Sequence, residues 1–295
     1  MTIEDLPKGA IPDPVDERDF KAESIMGAAV VDWSKEFRLP VPTDEDQGQS
    51  DACVAYSSSY YHWQLHEKDF SRRDLFARIA QAQGAYIRDG VKAIVDQGQA
   101  TRDEVPDPAN PTYSNMRDKT GVNPQVEASD KELNYFVIAN GSIDGVAAAV
   151  EMYQGVVFGV TGSNPGWQDL MNPRPPISGE TTWGHALYAM GHHMHDGQKC
   201  IIAKSSWCNS VKEHHIKENY FKAGKTFNAW TLIPKEQQMN PNVTIYKNGA
   251  EYILGQRATT EQGLAQLLVS AGCPDLIAPD GNPDFEKINK IAHVL

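Results

Sequence analysis

The chain has 295 residues and carries 27 basic against 39 acidic side chains, a formal net charge of −12. That balance argues against nucleic acid or an anionic membrane surface as partner, since both need basic patches. No apolar run approaches the roughly 20 residues of a membrane-spanning helix. With 40% hydrophobic and 22% charged residues, the composition is that of a globular protein with room for one large domain and a small appendage.

In chain order, residues 1–29 are rich in proline and acidic residues (Pro7, Pro12, Pro14, Asp13, Asp16, Glu17) and read as an extended arm. Met1-Thr2-Ile3-Glu4-Asp5 has neither a basic n-region nor an apolar stretch, so no secretory signal is expected. Ser50 to about Lys68 predicts a helix, because Cys53, Tyr56, Tyr60 and Trp63 recur every three or four residues. Further helices are predicted over Arg72–Gln83 and Ile87–Asp96, the latter ending at Gly98. Residues 103–128 read as loop.

The periodicity then changes. A strand is expected at Tyr135–Ile138, a helix at Ile143–Tyr153 and a strand at Val156–Val160. Strands follow at His185–Gly191, Lys199–Lys204, Asn219–Phe221 and Trp230–Ile233. From Pro241 the composition suggests a separate unit: a hairpin around Asn248-Gly249, then helices at Thr260–Ser270 and Phe285–Val294. Helices first and strands later indicate an α+β protein with its site between two lobes.

Three islands carry chemistry. Gln47-Gly48-Gln49-Ser50-Asp51-Ala52-Cys53 places a cysteine at a helix start, where the partial positive charge favours a thiolate. Trp183-Gly184-His185-Ala186-Leu187 and Ala203-Lys204-Ser205-Ser206-Trp207 follow about 130 and 150 residues downstream. Together these islands resemble the papain-like cysteine peptidases, in particular bacterial or bacteriophage forms without a conventional propeptide.

The resemblance implies a two-lobed papain-like fold with a helical N-terminal lobe and a β-rich C-terminal lobe over residues 30–238. Residues 239–295 would form a small αβ association module. It also implies roles: Cys53 as nucleophile, His185 as its ion-pair partner and general acid, and Gln47 as an oxyanion donor. Ser205 would orient His185, and Trp207 would shield that contact. Gly84 and Ala85 match the glycine-rich segment that lines the substrate groove, and Trp183 and Gly184 are expected to bind substrate as well. The expected substrate is a polypeptide, and no cofactor is implied.

Several positions depart from the family pattern. Ser205 stands where asparagine is usual, Val54 where tryptophan follows the nucleophile, and Asp51-Ala52 where Gly-Ser is common. Cys208 replaces a glycine, and Ser50 replaces a cysteine that secreted relatives hold in a disulfide. With Cys53, Cys200, Cys208 and Cys273 read as free thiols, a cytoplasmic or virion-associated setting is expected. Two alternatives stay open. One is an inactive papain-like component of a larger assembly such as a phage particle, anchored through residues 241–295. The other is an amidase or transpeptidase acting on peptide crosslinks. His193 and His195 share a strand face and could approach a metal ion. Without a further ligand at conventional spacing, His192–His195 and His214-His215 read as solvated hairpin residues and no metal is expected.

Overall fold

In a computed structural model, the described residues are 3, 6–16, 19, 31–40, 43–122, 132, 134–139, 142–207, 213–233, 244–247, 250–253, 276, 279 and 284. The chain divides into two compact units, Met1–Glu23 with Ala28–Ile233 and Ser24–Gly27 with Pro234–Leu295. In the second unit the hairpin expected from the sequence is present as β10 (Thr244–Lys247) and β11 (Ala250–Ile253), paired antiparallel. The helices expected at Thr260–Ser270 and Phe285–Val294, and Cys208 and Cys273, lie outside the described residues.

The first unit begins with helices α1 (Cys53–His66), α2 (Arg72–Ile79) and α3 (Ile87–Gln97). Burial of α1 is not confined to one stripe: every residue from Cys53 to His62 is buried. Most of its buried hydroxyls are satisfied inside the protein, as burial requires, Ser58 Oγ being an exception. Ser57 Oγ donates to the Ala186 carbonyl (3.0 Å), Tyr56 to Asp46 (3.1 Å) and Tyr61 to Tyr153 (2.7 Å). Helix α2 starts at Ser71, whose side chain accepts from the Asp74 N–H (3.0 Å). Loop 103–112 leads into the short helix α4 (Tyr113–Met116).

The other half is a seven-stranded sheet. Its main order is β4 (Asn134–Ile138), β9 (Thr226–Ile233), β5 (Val156–Ser163), β6 (Thr182–His195), β7 (Gln198–Lys204) and β8 (His214–Lys217). Strand β2 (Phe37–Arg38) adds to β6. Helix α5 (Ile143–Tyr153) precedes β5, capped by Ser142 at 2.9 Å from the Gly145 N–H. Strand β6 lies between β5 and β7, and Ala186–His192 are all buried. A central position of this kind explains its near-continuous apolar run.

Two local expectations are corrected. Asn219–Phe221 belongs to a helix, α6 (Glu218–Lys222), not to a strand. Three residues are too few to separate the two periods, and a Glu218–Lys222 ion pair (2.9 Å) spans the helical turn. The strand expected to end at Gly191 continues to His195. The turn falls instead at Asp196-Gly197, where both residues have positive φ (49° and 70°), the geometry of a two-residue hairpin loop. His192–His195 are therefore strand residues, not a solvated turn. His214 and His215 likewise lie on β8 and are buried.

Candidate active site

Cys53 opens α1 with no solvent exposure. Backbone N–H groups of Ala186, Gly9 and Val54 favour its thiolate, yet burial outweighs them and pushes the thiol pKa up to about 12. The neighbouring Asp51 carboxylate acts in the same direction. Ala186 directly follows His185 in β6 and also meets Ser57, one turn along α1. The start of α1 is thus held against the His185 end of β6.

His185 is fully buried, and its ring stacks on Trp207 at 3.9 Å between centroids and 18° between planes. Among the described residues neither ring nitrogen has a hydrogen-bond partner. Burial holds the imidazole pKa well below its usual value, helped by nearby His214 and Lys8. Burial therefore disfavours the charged form of both the thiol and the imidazole, and no hydrogen bond joins His185 to Cys53.

Ser205 does not bond to His185. Its Oγ lies 2.7 Å from His214 Nε2. Because His214 Nδ1 faces the Leu170 carbonyl, Nδ1 carries the proton and the Ser205 hydroxyl donates to Nε2. The Ser205 oxygen in turn accepts from the Trp207 N–H (3.3 Å). A serine side chain is shorter than the amide common at this place, and its one proton is committed to His214. The signal for His214 was the His214-His215 pair itself, but nothing local links it to an island nine positions earlier.

Gln47 is buried and its amide is oriented from both ends. Its Oε1 accepts from Ser206 Oγ, which directs Nε2 toward the Ser50 carbonyl (2.6 Å) and the Pro7 carbonyl (3.5 Å). Trp207 Nε1 also donates to the Pro7 carbonyl (3.0 Å). A peptide carbonyl from the N-terminal arm therefore lies between Gln47 and Trp207.

That arm runs across the site as an extended chain. Its strand β1 (Ala10–Ile11) pairs in parallel with β3 (Ala85–Tyr86), and the Ala85 N–H donates to the Gly9 carbonyl (2.9 Å). A Cβ on Gly84 would stand 1.7 Å from the Gly9 oxygen, and one on Gly184 2.2 Å from the Ala10 oxygen. These two glycines leave a slot wide enough for one backbone. On the same wall, the Lys8 ammonium lies 5.5 Å from the Trp183 ring centroid. Gly84, Ala85, Trp183 and Gly184 therefore all contact the arm. The arm is anchored further on at Asp13, whose carboxylate accepts from Trp230 Nε1 (2.7 Å) and from the Arg88 N–H (3.2 Å). Proline and small residues made the arm's extended form legible, but nothing in them names the groove it fills.

No protein-family model matches the sequence, and neither does any curated protein. Solved structures do match. Xylellain, a cysteine protease from Xylella fastidiosa, is 20% identical with a TM-score of 0.64, over 78% of this chain and 97% of that one. Digestive procathepsin L 3 of Tenebrio molitor is 16% identical with a TM-score of 0.56, over 78% and 76%. The bromelain protease of Ananas comosus is 14% identical with a TM-score of 0.52, over 68% and 99%. The chain has the fold of the papain-like cysteine proteases, as the three islands implied.

Proposed function

We propose that this protein is a thiol peptidase whose active groove is covered by its own N-terminal arm. The observation that carries the reading is a groove that already holds an extended peptide, with a peptide carbonyl on the Gln47 amide and a peptide N–H facing the Cys53 sulfur. With the arm displaced, solvent and substrate reach Cys53 and His185, and the burial that disfavours their charged forms is relieved. The Cys53 thiolate then attacks a substrate carbonyl carbon, and the Gln47 Nε2 and Cys53 backbone N–H groups stabilise the oxyanion. Protonated His185 gives its proton to the departing amine, leaving a thioester, and water attacks that acyl-enzyme with His185 as base. Gly84, Ala85, Trp183 and Gly184 bind the substrate backbone in the place the arm now occupies.

A second reading, a papain-shaped binding component, draws on the missing hydrogen bond at His185 and the diversion of Ser205 to His214. The two are separated by hydrolysis of a mixed peptide library by the full chain and by Gly9→Leu, a change that crowds the arm out of the groove. Cleavage by Gly9→Leu that vanishes in Gly9→Leu/Cys53→Ala supports the peptidase. No cleavage by a folded Gly9→Leu protein supports the binding component.

A further inference from the structure

The sheet edge brings together three histidines that the peptidase reading does not use. His193 and His195 stand two apart on β6, and His215 lies on β8, with β7 between the strands. In the ladder, His193 pairs with Cys200 and His215 with Ile202, two positions apart on β7. All three imidazoles therefore project from one face. One nitrogen from each ring lies within 4.8 Å of those from the other two. The ring centroids are 4.7 to 5.4 Å apart.

The hydrogen bonding around them favours a ligand. His215 is 7% exposed, and its Nε2 lies 3.0 Å from Glu213 Oε1, which fixes the proton on Nε2. Its Nδ1 is consequently an acceptor, and it is buried without a hydrogen-bond partner. His193 Nε2 is also buried and without one. A ligating histidine held through its other nitrogen by a carboxylate is the recurrent outer-shell arrangement of zinc sites. Glu213 is itself held by Arg38.

The charged surroundings are Glu36, Glu213 and Asp196 against Arg38 and Lys217, with Arg38 paired to both Glu36 and Glu213 and Lys217 to Asp196. One negative charge is left in excess, which suits a cation. Tetrahedral coordination at about 2.0 Å sets nitrogens roughly 3.3 Å apart, so small ring rotations close the triad.

We propose that His193, His195 and His215 form a binding site for a divalent transition-metal ion of the zinc type, with three imidazole ligands and a fourth position open to water. The ion ties β6 to β8 across β7. The site stands on residues outside the catalytic groove, so it holds or fails independently of the peptidase reading.

The test is a Co²⁺ titration of metal-free full-length protein carrying His66→Gln, which removes a ligand from the other cluster able to hold an ion, His62, His66 and Glu132. One Co²⁺ per chain with the visible bands of four- or five-coordinate nitrogen ligation is expected, bleached by one equivalent of Zn²⁺. His195→Gln, a partly exposed position, should weaken binding by about 100-fold or more. Glu213→Gln should weaken it by about 10- to 100-fold, the range for an outer-shell partner. Metal-free melting curves confirm that each variant is folded. Absence of a stoichiometric Co²⁺ spectrum, or an affinity unchanged by both His193→Gln and His195→Gln, overturns the proposal.

Discussion

At the scale of single residues, the site is a set of commitments by individual protons. The Ser205 hydroxyl gives its proton to His214, so removing it leaves a buried acceptor unsatisfied. Ser205→Ala is expected to destabilise the fold by about 1–3 kcal/mol, measured by denaturant unfolding, while peptide turnover in the arm-displaced enzyme changes much less. A loss of turnover larger than the loss of stability would return Ser205 to the role of orienting His185. Gln47 is the opposite case: Gln47→Ala should lower turnover of the arm-displaced enzyme about 100- to 1000-fold, with little change in substrate affinity. Burial lowers the His214 pKa to about 4, against 6.5 when unperturbed. A base with a depressed folded pKa gives stability that is complete above about pH 6.5 and lost as the pH falls toward 4. The difference amounts to about 3 kcal/mol. Unfolding measured from pH 7 to pH 4 should show that loss, and His214→Gln should flatten it.

At the scale of elements, the arm and the strands it touches decide whether the site is open. Asp13 anchors the arm among Trp230, Asn228, Arg88 and Asp89, and burial raises its pKa to about 6, with Trp230 and Arg88 acting against the shift. A raised carboxyl pKa favours docking below its free value near 4 and weakens it as the pH rises through 6. Limited proteolysis at residues 7–12 should therefore quicken as the pH rises from about 4 to 6 and level off above that in the native chain, and Asp13→Asn should remove that dependence. Protection that is unchanged across this range would mean that Asp13 does not gate the arm. Much of this level was legible in sequence. Helix α1 announced itself by aromatic spacing, β6 by its apolar run, and the C-terminal hairpin by Asn248-Gly249 flanked by strand formers. The arm's destination was not, because an extended segment carries no period and its partners, Ala85 and Gly184, are far away in sequence. Asp196-Gly197 was a readable hairpin turn, and reading it would have placed His193 and His195 on a strand.

At the scale of the whole molecule, the central helix and the sheet bring together residues more than a hundred positions apart. Cys53, His185 and Gln47, the residues proposed for catalysis, were singled out from short local strings. His214 and the triad at His193, His195 and His215 depend on how β7 and β8 pair, a register that no local motif encodes. The central claim is that a functional thiol–imidazole pair lies beneath a removable arm. The most direct measurement is the pH dependence of Cys53 alkylation, read by peptide mass spectrometry, in the native chain, in Gly9→Leu and in Gly9→Leu/His185→Ala. The native chain should react slowly at all pH values below about 8, because its thiol is covered and its pKa raised. Gly9→Leu should react quickly at pH 5–6, well below the usual thiol pKa of about 8.5, and the added His185→Ala should abolish that reaction. Alkylation of Gly9→Leu that begins only near pH 8, and is indifferent to His185, would contradict the claim and leave a papain-shaped scaffold.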